Sequence, residues 1–132
     1  MDKTLNFLGM CKRAGALTVG EDGALGAARS GSARLLMTAA DAAENTCGKA
    51  EHIAELCNVM YLRLPYDKDS LGELLGRRVA AVMAITDKNF SKSFLEKLAA
   101  DDPAYAPALK ELTERLKPRR ERRKSLQREA EK

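Results

Sequence analysis

The sequence has little of what metal sites and nucleophilic centres are built from: one histidine, His52, and three cysteines, Cys11, Cys47 and Cys57, in 132 residues. No two cysteines form a Cys-x-x-Cys pair, so zinc is not expected. Each cysteine lies in an apolar-periodic segment, the usual setting of a buried reduced thiol. His52, set among the charges of "GKAEHIAELC", reads as an exposed helix residue. One histidine without a paired cysteine or serine motif gives no basis for acid–base or covalent catalysis. No apolar run approaches the ~20 residues that cross a bilayer. At the N-terminus Asp2 precedes the apolar positions and Lys12 and Arg13 follow them, the reverse of a signal peptide, so the expected location is cytoplasmic. No cofactor is called for.

What is present is enough for one domain that buries roughly two-thirds of its unfolded surface. The hydrophobic fraction is 45%, and the net charge of +4 is unevenly placed. Residues 1–107 carry 13 Lys and Arg against 14 Asp and Glu, a net of −1, whereas residues 108–132 carry 10 against 5, a net of +5. Segregation of this kind points to a polyanionic partner met by the C-terminus, although a solvated tail has the same composition.

Along the chain, helical and extended patterns alternate. A helix over Thr4–Ala14, with Leu5, Phe7, Leu8, Met10 and Cys11 apolar, is followed by the short strand "ALTV". A second helix, Glu21–Ser30, closes at Gly31. "ARLLMTAA" suits a strand covered on both faces. Asp41, with Glu44 three residues on, is placed to cap a third helix through Ala50, Ile53, Ala54 and Cys57. "VMYLRL" is a strand, "KDSLGELLG" a short helix, and "VAAVMAIT" another buried strand. A turn over Asp87–Asn89 then leads into a helix with Phe90, Phe94, Leu95 and Leu98 on its inner side. Four strands alternating with helices predict an α/β/α sandwich around a small mixed sheet. "DDPAYAP" is read as the boundary between a domain of residues 1–100 and an extension of residues 101–132. In that extension Leu109, Leu112 and Leu116 can lay one more helix on the body or on a partner, and the residues after Pro118 have almost nothing to bury.

The stretch "TVGEDGALG" places Gly20, Gly23 and Gly26 three apart where a helix begins. Each interior helical glycine costs about 1 kcal/mol relative to alanine, so the row needs a reason. A P-loop is excluded because no Lys-Ser/Thr follows the last glycine, and the spacing does not fit the dinucleotide fingerprint. The free N–H groups of a helix start favour phosphate, yet Glu21 and Asp22 occupy that end and repel it. Carboxylates there suit base edges, where they accept from N–H groups of guanine or cytosine.

The order helix, "ALTVG", glycine-containing helix start, "RSGSARLLMTAADA", "LGELLGRRVAAVMAIT" resembles the ribosomal protein L7Ae family of kink-turn RNA-binding proteins. "KRAGALTVGED", "AADAAENT" and "AVMAITDKNFSKSF" resemble its bacterial, YlxQ-like branch. The resemblance covers about residues 4–98. It implies an α/β/α sandwich without catalytic activity that binds sharply bent RNA, or ribosomal RNA, through the start of the second helix and the loop before the last strand. In that pattern Gly20 matches the family's glycine, Glu21 a small residue, Asp22 an asparagine, Gly23 a glutamate and Gly26 a lysine. The last three depart from the residues that read RNA, which makes this helix start atypical. Arg29, one turn beyond Gly26, and Lys12 and Arg13 are nearby sources of charge. "GRRVAAV" places Arg77, Arg78, Val79 and Ala80 where the family packs apolar atoms and a basic side chain against unpaired nucleotides. Arg119, Arg120, Arg122 and Arg123 have the composition of a non-specific RNA footprint.

Two other readings stay open on the residues alone. A protein-interaction module on the same fold would use the glycine row as a flat face and Leu109, Leu112 and Leu116 as a docking stripe. A small enzyme would use Asp41, Glu44 and His52, although capping and exposure account for all three.

Overall fold

Leu35–Thr38 and Val82–Ile85 are buried at every position, and two short apolar runs of that kind can only be satisfied inside a sheet covered on both faces. The computed structural model describes residues 2–117. In it these runs are the central strands, β2 (Leu35–Thr38) and β4 (Val82–Ile85), flanked by β1 (Leu17–Val19) and β3 (Met60–Arg63) in the order β1-β4-β2-β3. β4 is antiparallel to both β1 and β2, whereas β2 and β3 are parallel. The sheet is therefore mixed, as expected.

Alternation along the strands sorts the core into two layers. Leu35, Met37, Met60, Leu62, Met83 and Ile85 face a layer containing Leu8 and Cys11 of α1 (Lys3–Arg13), Leu71 and Leu75 of α4 (Lys68–Leu75), and Phe94, Leu95 and Leu98 of α5 (Lys88–Asp101). Leu36, Val82 and Ala84 face Ala24, Leu25 and Ala28 of α2 (Glu21–Arg29) and Ala50, Ile53 and Ala54 of α3 (Glu44–Cys57). The alanines of the second layer let α2 and α3 lie close to the sheet. Burial pushes the Cys11 thiol up to about 11, so it stays a protonated apolar filler. Cys47 is also buried and Cys57 is half-buried.

Two local expectations are corrected. Asp41 does not cap α3: that helix begins after Ala43 with no side-chain cap. Asp41 Oδ1 instead accepts the Lys68 N–H at 2.8 Å, because the chain turns once more between Ala39 and Ala42 before the helix starts. The Asp87–Asn89 turn is already the beginning of α5, with Asp87 as the N-cap accepting from Phe90 N–H at 2.9 Å.

Beyond α5, a 3-10 turn (Pro103–Tyr105) leads into α6 (Ala106–Leu116). Leu112 is fully buried in the same core as α1, α4 and α5, and Leu109 and Leu116 pack against it. The leucine stripe is thus spent on the body of this chain, not presented to a partner. No helix among the described residues is long and apolar enough to cross a membrane.

Candidate nucleic-acid face

The face forms where β1 runs into α2. Gly20 sits at φ 105°, ψ 151°, a conformation that a residue with a Cβ rarely adopts. Its N–H donates to the Val82 carbonyl at 2.9 Å and its carbonyl accepts from Ala24 N–H at 2.9 Å. One residue thereby joins the start of α2 to the first residue of β4. No side chain caps this helix start, so its first N–H groups remain open to a ligand.

The carboxylates of the first turn, Glu21 and Asp22, are both exposed. Glu21 pairs with Lys49 of α3 at 3.0 Å, which brings a cation to the helix start that sequence spacing did not reveal. Gly23 is set by packing: a Cβ there would stand 2.6 Å from Thr18 Cγ2. Gly26 has no neighbour within 4 Å of a Cβ, so packing does not require it.

The second element is the loop between α4 and β4. α4 stops at Gly76, which is left-handed at φ 72°, and the Lys12 ammonium donates to the Leu75 carbonyl at that helix end. Lys12 is therefore committed to α4, where its charge also suits the C-terminal end of the helix dipole. The loop then folds back over α4, with Arg77 N–H donating to the Gly72 carbonyl at 2.7 Å and Ala80 N–H to the Lys68 carbonyl at 2.9 Å. Gly72 makes this possible. A Cβ on it would lie 2.8 Å from the Arg77 carbonyl oxygen and from Val79 Cα, and 2.9 Å from the Arg78 carbonyl oxygen. Its role was invisible in the sequence, because nothing local distinguishes a glycine against a folded-back loop from any other helical glycine.

Within the loop the four named residues separate by exposure. Arg77 and Arg78 are exposed and Val79 is 47% exposed. Ala80 is 1% exposed and belongs to the core, so it anchors the loop and is not accessible to a ligand. The Arg77 guanidinium reaches across to α2, where its Nη1 lies 3.6 Å from the position of a Cβ on Gly20. Thr18, Val19, Gly20, Glu21, Asp22, Gly23 and Arg77 line one shallow depression. The structure thus brings the helix start and the loop together, while Arg29 lies exposed at the other end of α2. Arg119, Arg120, Arg122 and Arg123 lie outside the described residues.

Chemically, the depression offers a guanidinium and free helix N–H groups beside two carboxylates, with exposed Val79 on the same loop. Donors and acceptors side by side match the edges of bases better than bare phosphate, which the carboxylates would repel. Asp41, Glu44 and His52 form no comparable site: Asp41 is tied to α4, and His52 is exposed on α3. Among the described residues no group of three His, Cys, Asp or Glu side chains is placed to hold a metal ion.

A mixed four-stranded sheet between helical layers, with a glycine-started helix and a basic loop meeting at one end, defines a small α/β/α sandwich protein. Residues 2–95 match the model of the ribosomal protein L7Ae/L30e/S12e/Gadd45 family, and the chain belongs to that family. It is 32% identical over 96 residues to the RNA-binding protein YlxQ of Bacillus subtilis (strain 168), an alignment covering 70% of this chain and 91% of that protein. A solved structure of a protein with unknown function from Bacillus halodurans C matches with a TM-score of 0.67 at 24% identity, covering 74% of this chain and 97% of that one. At that identity the likeness concerns the fold alone.

Proposed function

We propose that this protein binds structured RNA, ribosomal RNA or a kink-turn, through the α2 start and the Arg77–Val79 loop, and catalyses no reaction. The observation that carries the reading is the meeting of Arg77 with the Gly20–Gly23 turn in one depression. Family membership and the YlxQ relative, itself described as RNA-binding, support it. Asp22 accepts where an asparagine would also donate, and Gly23 and Gly26 contribute no side chain. Recognition of a bend therefore rests more on the loop than on the helix, with Arg77 and Arg78 supplying cations and Val79 an apolar contact for an unpaired base. The basic residues past Lys117 add affinity that depends on salt and carries no sequence information.

The test is a mobility-shift titration of the full chain against a kink-turn RNA and an unbent duplex of equal length. Preference for the bent RNA, reduced about tenfold or more by Arg77→Gln with Arg78→Gln, is the expected outcome, since each lost contact costs about 1–3 kcal/mol. Equal binding to both RNAs overturns bend recognition. Absence of binding at low salt overturns RNA binding and leaves the protein-interaction module as the better reading.

A further inference from the structure

The strand registers give the sheet two distinct ends. Val19, Val82, Thr38 and Arg63 lie at one, which is the end of the depression, and Leu17, Ile85, Leu35 and Met60 lie at the other. α6 connects the two. Tyr105, at its start, donates its hydroxyl to the Arg63 carbonyl at 2.9 Å, whereas Arg115, in its last turn, donates to the Asn58 carbonyl at 3.3 Å, just before β3 begins. The helix therefore runs antiparallel to β3 and carries the chain roughly 16 Å, at 1.5 Å per residue, to the end of the molecule remote from Arg77. The family match ends at residue 95, so this path belongs to the part of the chain beyond it.

At that remote end Arg34 and Arg115 line one depression of about 220 Å³, together with Asn58 and the apolar side chains of Met60, Leu112 and Leu116. No carboxylate among the described residues lines it. Arg34 is exposed and has no acidic partner among the described residues. Arg115 is oriented by Asn58 and by Glu111 at 3.2 Å, an exposed pair that water screens and that competes weakly with a phosphate. Lys117 follows directly, and then "PRRERRK", residues 118–124, with five basic residues against one acidic.

We propose that the remote end is a second, separate RNA contact: Arg34 and Arg115 hold the phosphates of a duplex arm flanking the bend. The inference rests on the RNA-binding reading above and adds its geometry. Guanidinium groups paired with phosphate oxygens position an RNA without reading its sequence. The two ends of the sheet then divide the work, one meeting the bend and the other an arm.

The test compares a kink-turn RNA with arms of half a helical turn with versions in which one arm or the other is longer by a turn and a half. For the full chain, extending one particular arm is expected to tighten binding about fivefold or more and to steepen its salt dependence. Arg34→Gln with Arg115→Gln is expected to remove that gain and leave binding of the short-armed RNA unchanged. Arg34→Lys with Arg115→Lys is expected to keep it, which separates charge from packing. A radical source tethered at Lys117→Cys is expected to cleave the extended arm, and one at Val79→Cys the bend. Binding of the short-armed RNA with an equal gain from either arm, or with none, overturns the second contact and leaves the first standing. Failure to bind any of the RNAs overturns both.

Discussion

The Thr18 methyl occupies the space that a side chain at position 23 needs: Cγ2 lies 2.6 Å from where a Cβ on Gly23 would stand. The strand residue and the helix glycine are therefore one packing unit. Gly23→Glu alone is expected to destabilise the protein by about 1–2 kcal/mol relative to Gly23→Glu combined with Thr18→Ser, which removes that methyl. Urea midpoints of the single and double variants measure the coupling, and additive effects would contradict it.

Gly26 stands in open space, with no heavy atom within 4 Å of a Cβ. Gly26→Ala is expected to raise stability by about 0.5–1 kcal/mol, because alanine loses less backbone freedom in a helix and meets no obstacle here. Thermal unfolding gives the sign. Gly26→Lys, which places a cation on the same face, is expected to strengthen binding of a kink-turn RNA in the titration described above.

Gly72 faces backbone, not a movable side chain. Gly72→Ala forces its Cβ against the Arg77 carbonyl oxygen and Val79 Cα, each at 2.8 Å, and a loop that cannot yield is expected to cost about 1–3 kcal/mol. RNA affinity is expected to fall with it, since the same backbone carries Arg77 to Gly20. A variant that keeps both stability and affinity would show that the loop is not held by this contact.

Asp67 caps α4, accepting from the Ser70 N–H at 2.7 Å and from its hydroxyl at 3.0 Å. Those bonds hold its carboxyl below the ordinary value of 3.8. The native state thus binds this proton less readily than the unfolded chain, so the cap's stabilisation is complete above pH 3.8 and is lost as pH falls through the lower native value. The difference in urea midpoint between wild type and Asp67→Ala is expected to shrink as the solution is acidified. A difference that stays constant would argue against the capping bonds.

The elements were legible wherever their cause is local. "LLMT" and "VMAI" are apolar at nearly every position, which only a doubly covered strand tolerates, and both became central strands. The close of α2 at Gly31 followed from a residue that tolerates left-handed backbone, and α3 and α4 end in the same way on Asn58 and Gly76. Asp41 misled for the same reason: its local environment suits a cap, and only the position of α4 revealed Lys68 N–H as its partner. At the candidate site, the Gly20 turn and the exposure of Arg77, Arg78 and Val79 agree with the sequence pattern. Burial of Ala80 and the Lys49 partner of Glu21 depend on how distant elements pack.

The sequence by itself determined the order of helices and strands and the two-layer core, because short-range periodicity and residue type carry that information, and its motifs carried the resemblance to the family. Only the tertiary structure decided that Gly72 clears room for the loop, that Thr18 excludes a side chain at Gly23, and that Arg77 lies across Gly20. It alone also placed α6 so that its last turn, with Arg115 at Asn58, lies at the opposite end of the sheet. Each of these is a contact between residues on different elements, and no spacing along one element encodes which partner a neighbouring strand or loop will bring.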